Sequence, residues 1–99
     1  MPNRKMHNPP HPGEFIKEVY LDELDISEKE VAQKLKVAPS TLNRLIRGKT
    51  NISPEMALRL SITLGRTPES WLQMQDNYSL WVAQKELDLD DVEELLVSA

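Results

Sequence analysis

Residues 27–49, SEKEVAQKLKVAPSTLNRLIRGK, constrain the fold most strongly, because they predict two short helices joined by a tight turn. Ser27 followed three residues later by Glu30 is a capping-box pattern, which marks the start of the first helix. Pro39 suits the first position of a second helix, where a missing N–H costs nothing. Gly48 ends that helix, because glycine adopts a positive φ cheaply.

Each of the two helices has one apolar face. The apolar positions follow helical spacing and are Val31, Ala32, Leu35, Leu42, Leu45 and Ile46. The second helix leaves hydroxyls, an amide and guanidinium groups on its other faces, a set that suits the major groove of DNA. We therefore predict DNA contacts from Pro39, Ser40, Thr41, Asn43, Arg44, Arg47, Lys49, Thr50 and Asn51.

These polar residues suggest two kinds of contact. Arginine fits the guanine edge and asparagine the adenine edge, so Arg44 and Asn43 are the candidate base readers, whereas hydroxyls bond bases or phosphates. The residues from Arg47 to Asn51 follow the helix and are better placed for the DNA backbone. The alternative is an ordinary polar helix face.

The size and composition of the chain exclude several classes. Its 99 residues allow one small domain, and a hydrophobic fraction of 39% gives a small core unless a partner subunit completes it. There is no cysteine, no apolar run long enough to span a bilayer and no secretory signal pattern. These features favour a cytoplasmic protein without a membrane partner.

Charge is unevenly distributed within the overall net charge of −4. Residues 29–49 carry six lysines and arginines against one glutamate, a net of +5. Residues 85–99 carry one lysine against six acids, a net of −5. A basic patch that coincides with the helix pair supports DNA binding. The alternative is a solvated surface with a chance asymmetry.

The whole chain predicts an all-α domain of five helices. A proline-rich flexible arm spans residues 1–11, the domain spans 12–86, and an acidic extension, flexible or helical, spans 87–99. The first helix should turn Phe15, Ile16, Val19, Tyr20 and Leu24 toward a core. Two further helices start with a cap, a proline and an acid, at 53–55 and 67–69. In the arm, Arg4 and Lys5 could enter a minor groove.

The last long helix carries large apolar residues at three- and four-residue steps, namely Trp71, Met74, Tyr78 and Trp81. Such residues dominate both small cores and interfaces. Because a domain of this size has little room for two tryptophans, we expect shared use, with some residues facing inward and others across a dimer seam.

Catalytic or metal chemistry is not indicated. His7 and His11 are four residues apart, but Pro9 and Pro10 between them prevent the helix that would bring both to one metal. His11 is better explained as the N-cap or flank of the first helix. No hydroxyl–histidine–acid set or phosphate-binding loop is visible, so we expect no enzyme activity and no cofactor.

Three segments resemble the HigA family of addiction-module antitoxins, whose domain is of the phage-repressor and Cro type. They are NPPHPGEFIKE at 8–18, APSTLNRLIRGKTNISPEMALRLS at 38–61 and TPESWLQMQDNYSLWVAQ at 67–84. The resemblance implies a dimeric repressor of its own operon that binds and neutralises a HigB-type mRNA endonuclease of RelE-like fold. A plain dimeric repressor without a toxin, or a protein-interaction module, stays open from the residues alone.

The chain departs from the family pattern at two positions. Such domains often carry glycine in the turn where this chain has Lys36, so either Lys36 is left-handed or the turn differs. The helix before the turn often begins with a glutamine that touches the DNA backbone, and Glu28 stands there. Since a carboxylate would repel phosphate, that contact is not expected here.

Overall fold

Five helices make up the fold in the computed structural model, which describes residues 8–95. The first, α1 (Pro12–Ile16), continues as a π-helical segment (Lys17–Asp22). The others are α2 (Glu28–Leu35), α3 (Pro39–Ile46), α4 (Pro54–Thr63) and α5 (Pro68–Glu86). No strand occurs between residues 8 and 95, and the predicted all-α class is confirmed. The expectations for Arg4, Lys5 and His7 lie outside these residues.

Side-chain caps fix the start of several helices as the sequence predicts. The Ser27 hydroxyl accepts the Glu30 N–H at 3.1 Å, and the Ser53 hydroxyl accepts the Met56 N–H at 3.1 Å. Thr67 caps α5 in the same way. Each bond satisfies an N–H that has no partner inside the helix.

The core forms where the faces of the helices meet. Its buried residues are Ile16, Leu21, Val31, Ala32, Leu35, Leu42, Leu45, Ile46, Ile52, Ala57, Leu60 and Trp71. All six apolar positions predicted for the helix pair are among them. Removing these side chains from water is the main favourable term in folding.

The first helix differs from its predicted register. Val19 is 40% exposed and Leu24 is 61% exposed, while Leu21 is buried. The π-helical segment explains the change, because i→i+5 bonding puts more residues in each turn than the α-helical spacing assumed. Ile16 faces the core as expected, and Phe15 and Tyr20 pack partly against it.

Gly13 lets the start of α1 lie directly on α3. A Cβ built on Gly13 would collide with the backbone carbonyl of Leu45. Only glycine, which has no side chain, permits this approach, so α1 packs directly against the C-terminal end of α3.

The extension differs from the body of the domain. Residues 87–95 contain no helix, and apolar side chains such as Leu89 and Leu95 are exposed there. The helical alternative is therefore not realised in the described part of this segment. Among residues 8–95, no helix is long and apolar enough to cross a membrane.

Candidate nucleic-acid interface

The turn between α2 and α3 accommodates a left-handed lysine. Lys36 has φ 62° and ψ 43°, the conformation that glycine often supplies at this point. The Lys36 N–H donates to the Gln33 carbonyl at 3.2 Å, and the Val37 N–H donates to the Ala32 carbonyl at 3.1 Å. This bonding is a Schellman motif. Of the two alternatives raised by the sequence, a left-handed Lys36 or a different turn, the first is therefore correct.

Arg59 on α4 holds the same turn in place. Its guanidinium donates to the Leu35 carbonyl at 2.8 Å and to the Glu55 carboxylate at 2.8 Å. Carbonyls at the end of a helix have no partner inside the helix, so this bond satisfies one of them. The sequence analysis did not identify Arg59, because its partner on α2 lies 24 residues earlier.

Helix α3 presents the predicted residues as one surface. Leu42, Leu45 and Ile46 are buried on its inner side. On the outer side Ser40, Arg44 and Arg47 are exposed, whereas Thr41 and Asn43 are half-buried. Pro39 occupies the first helical position and is also exposed. A rigidly backed helix therefore offers a polar and cationic face to solvent.

Asn43 is held between an acid and a base. Its Nδ2 donates to Oε1 of Glu28 at 2.9 Å, and its Oδ1 accepts from Nε of Arg47 at 3.1 Å. Glu28, at the start of α2, is thus hydrogen-bonded to α3. We call these three residues the α2–α3 network.

The segment after α3 continues the exposed surface. Gly48 has φ +77°, and the Lys49 N–H donates to the Arg44 carbonyl at 2.9 Å, so the helix ends in a tight turn. Lys49, Thr50 and Asn51 follow it and are all exposed. We call residues 49–51 the contact loop.

Gln75 on α5 anchors the end of the contact loop and is 4% exposed. Its Oε1 accepts the Ile52 N–H at 2.8 Å, and its Nε2 donates to Oδ1 of Asn51 at 3.2 Å. Sequence analysis missed this residue. The sequence did contain an indication of it, because Gln75 is a polar residue four positions after Trp71 and so lies on the same, core-facing side of the helix.

His11 caps the start of α1 and packs against α5. Its Nδ1 accepts the Gly13 N–H at 2.9 Å, which confirms it as the N-cap of α1. The ring lies edge-on to Tyr78, with centroids 5.0 Å apart. Burial lowers the pKa of His11 from its ordinary 6.5, against opposing contributions from the Thr50 backbone and from Glu14. Because His11 is buried, the folded part begins at least one residue before the predicted boundary.

The four predicted seam residues on α5 have different environments. Trp71 is fully buried within the single chain, and its Nε1 donates to the Gly65 carbonyl at 2.8 Å. Trp71 has no exposed surface with which to contact a partner, so it belongs to the core and not to the predicted dimer seam. Met74, Tyr78 and Trp81 keep partly exposed surfaces.

A groove runs beside the second half of α5. Its volume is about 360 Å³, and Asn51, Tyr78 and Val82 are among its lining residues. Within residues 8–95, no group of three or more histidines and acids could hold a metal ion.

Comparison with known proteins gives a consistent result. The helix-turn-helix family matches residues 16–72. YddM, an uncharacterized HTH-type transcriptional regulator of Escherichia coli K12, is 44% identical over 93% of this chain and 97% of its own. The solved structure of antitoxin GraA in complex with its operator is 35% identical, covers 99% of both chains and has a TM-score of 0.82.

A second solved structure extends the match. Pseudomonas aeruginosa antitoxin HigA with the higBA promoter is 33% identical over 90% of this chain and 99% of its own, with a TM-score of 0.78. The fold and the interface define a helix-turn-helix protein. The chain belongs to the helix-turn-helix family, in its HigA-like antitoxin group, which confirms the resemblance seen in its motifs.

Proposed function

We propose that this protein is an operator-binding repressor that also acts as an antitoxin. The observation that carries the DNA-binding part is the outer face of α3, where Ser40, Arg44 and Arg47 are exposed over a buried apolar side. A helix backed in this way fits the major groove. The GraA structure contains its operator and the HigA structure contains the higBA promoter, and both support the proposal that this protein binds DNA.

Base reading falls to the side chains that face outward from the middle of α3. Arg44 is exposed and has a guanidinium that can bond guanine O6 and N7 together. Ser40 and Thr41, near the start of the helix, reach bases or phosphates. Arg47 and the contact loop lie at the far end of α3, where cations and hydroxyls meet the phosphate backbone.

Two copies of the chain should bind one operator. The partly exposed Met74, Tyr78 and Trp81 line one stretch of α5 and supply the apolar surface for a two-fold seam. Such a dimer would place its two α3 helices about 34 Å apart, one turn of B-DNA, or a multiple of it.

The antitoxin part rests on membership of the HigA-like group. The partner would be a HigB-like mRNA endonuclease of RelE-like fold, neutralised in the cytoplasm by direct binding. An RNA-cleaving enzyme needs a positive surface, and this protein exposes acids on its first helix and in residues 87–95. Glu14, Glu18 and Asp22 belong to the first of these acidic surfaces.

The second candidate is a plain dimeric repressor without a toxin. The exposed face of α3 favours it equally, because operator binding needs no toxin. The neighbouring reading frame distinguishes the two functions, because it should encode a small basic RelE-like protein only if this protein is an antitoxin.

Two measurements test the proposal. Gel shifts with the DNA upstream of the gene should show binding that weakens steeply as salt rises, because phosphate contacts release counterions. Co-expression with the neighbouring toxin should restore growth, and the two proteins should co-purify. Operator binding without any toxin complex would leave the plain repressor. Absence of binding to upstream DNA at low salt would refute both.

A further inference from the structure

We propose that Glu28, Asn43 and Arg47 form a positioning device, in which Glu28 holds the Asn43 amide and thereby aims the Arg47 guanidinium at the phosphate backbone. This inference rests on the proposed operator binding. It gives Glu28 a constructive role at a position where its charge alone would only repel DNA.

The order of groups in the α2–α3 network supports this role. Glu28 begins α2, Asn43 lies on α3, and Arg47 is the residue that caps the C-terminal end of α3, four positions after Asn43. An amide donates at one end and accepts at the other, so it can bridge a carboxylate and a guanidinium. Here the amide nitrogen faces the anion at 2.9 Å and the amide oxygen faces the cation at 3.1 Å. Both bonds involve an ionised group, which strengthens them and lets each polarise the next.

The network constrains the direction of Arg47. A guanidinium is planar with donors in a fixed fork, so a bond at Nε also sets the orientation of the two terminal nitrogens. Arg47 is exposed, and its terminal nitrogens remain for an external anion. A side chain ordered before binding loses less entropy when it meets a phosphate.

The same bonds change the role of Asn43. Its Nδ2 and its Oδ1 both have partners within the chain, and the residue is half-buried. An adenine edge would have to compete with Glu28 and Arg47 for the same two atoms. Asn43 is therefore a positioning residue, and the adenine-reading role predicted for it from the sequence is replaced.

Two substitutions at Glu28 separate the hydrogen bond from the charge. Glu28→Gln keeps an oxygen that accepts from Asn43, whereas Glu28→Ala removes it, and both variants lose the same negative charge. The loss of charge should strengthen DNA binding equally in the two. We expect Glu28→Ala to bind about 3- to 10-fold more weakly than Glu28→Gln, the range for one lost hydrogen bond. Because Arg47 contacts the backbone, the factor should be the same on operator and random duplexes.

A double-mutant cycle gives the decisive result. In an Arg47→Ala background the two Glu28 variants should bind equally, because there is no cation left to aim. Equal binding of the two variants with Arg47 present would overturn the proposal. So would an Asn43→Ala variant that loses operator binding but keeps random binding, since that pattern indicates base reading.

The free protein supplies a test independent of DNA. In NMR spectra, Glu28→Ala should shift the Asn43 side-chain amide signals strongly, and Glu28→Gln should shift them less. Unchanged signals in Glu28→Ala would refute the network. If the wild-type chain does not bind upstream DNA, the proposed function fails, and the NMR comparison still decides whether the network exists.

Discussion

The carboxamide oxygen of Gln75 accepts the N–H of Ile52 at 2.8 Å, which ties α5 to the residue that follows the contact loop. The same side chain donates to Asn51 and to the hydroxyl of Ser79. A buried amide with three bonds fixes the loop relative to the helix proposed to form the dimer seam. The proposed DNA-contacting loop and the proposed dimer seam are therefore linked through one side chain.

Replacing Gln75 with Met should destabilise the fold by about 1–3 kcal/mol, because the Ile52 N–H would stay buried without an acceptor. Urea unfolding followed by tryptophan fluorescence measures the change. The matched control is Gln73→Met, at an exposed position on the same helix, which should stay within about 0.5 kcal/mol. Equal effects of the two substitutions would contradict the anchoring role.

Stability should fall as the pH drops below about 6.5, because burial lowers the pKa of His11 in the folded state. The unfolded chain then takes up a proton before the folded chain does, and this favours unfolding. His11→Asn keeps a side-chain acceptor for the Gly13 N–H and removes the titration. Between about pH 7 and pH 5.5 its free energy of unfolding should change less than that of the wild type. Identical pH profiles would exclude His11 as the source.

Gly13→Ala should destabilise the protein by about 2–3 kcal/mol or more, because the new Cβ would meet the Leu45 carbonyl. Gly65→Ala is the comparison. No atom lies within 4 Å of its Cβ position, but its φ of +99° disfavours a side chain, so about 1–2 kcal/mol is expected. Thermal melting of both variants checks the order, and a milder effect at Gly13 would contradict the close approach of α1 to α3.

Arg44→Ala should cost about 1–3 kcal/mol of binding to the operator and should reduce the preference for operator over random DNA. The expected reason is the loss of the proposed paired contact between Arg44 and a base edge. Arg47→Ala is the control, since it should weaken both duplexes alike. A gel-shift series in which Arg44→Ala leaves operator binding unchanged would remove the base-reading role.

Trp81→Glu should raise the dimer dissociation constant at least about tenfold if α5 forms the seam, because aromatic anchors dominate interface energies. Light scattering across a concentration series measures it. Leu58→Glu introduces the same charge at an exposed apolar position on α4 and should leave the dimer intact. Dissociation by Leu58→Glu and not by Trp81→Glu would move the seam to α4.

The sequence by itself determined the helices and most of the core. Caps such as Ser27 and Ser53, and apolar stripes such as Leu42 and Leu45, depend on residues within about one turn of each other. These local rules also place Arg44 on the solvent face of α3. The family motifs are also local patterns, and the sequence alone was therefore enough to indicate the HigA-like group.

Only the tertiary structure decided which side chains meet across helices. Asn43 meets Glu28 15 residues away, and Gln75 meets Asn51 24 residues away. No periodicity specifies such pairs, because they depend on how the helices pack. The structure also decided that Lys36 is left-handed, and it showed the π-helical bonding after Ile16 that leaves Val19 exposed. Bonds close in sequence can be inferred from residue types, whereas distant bonds form only once the core brings their helices together.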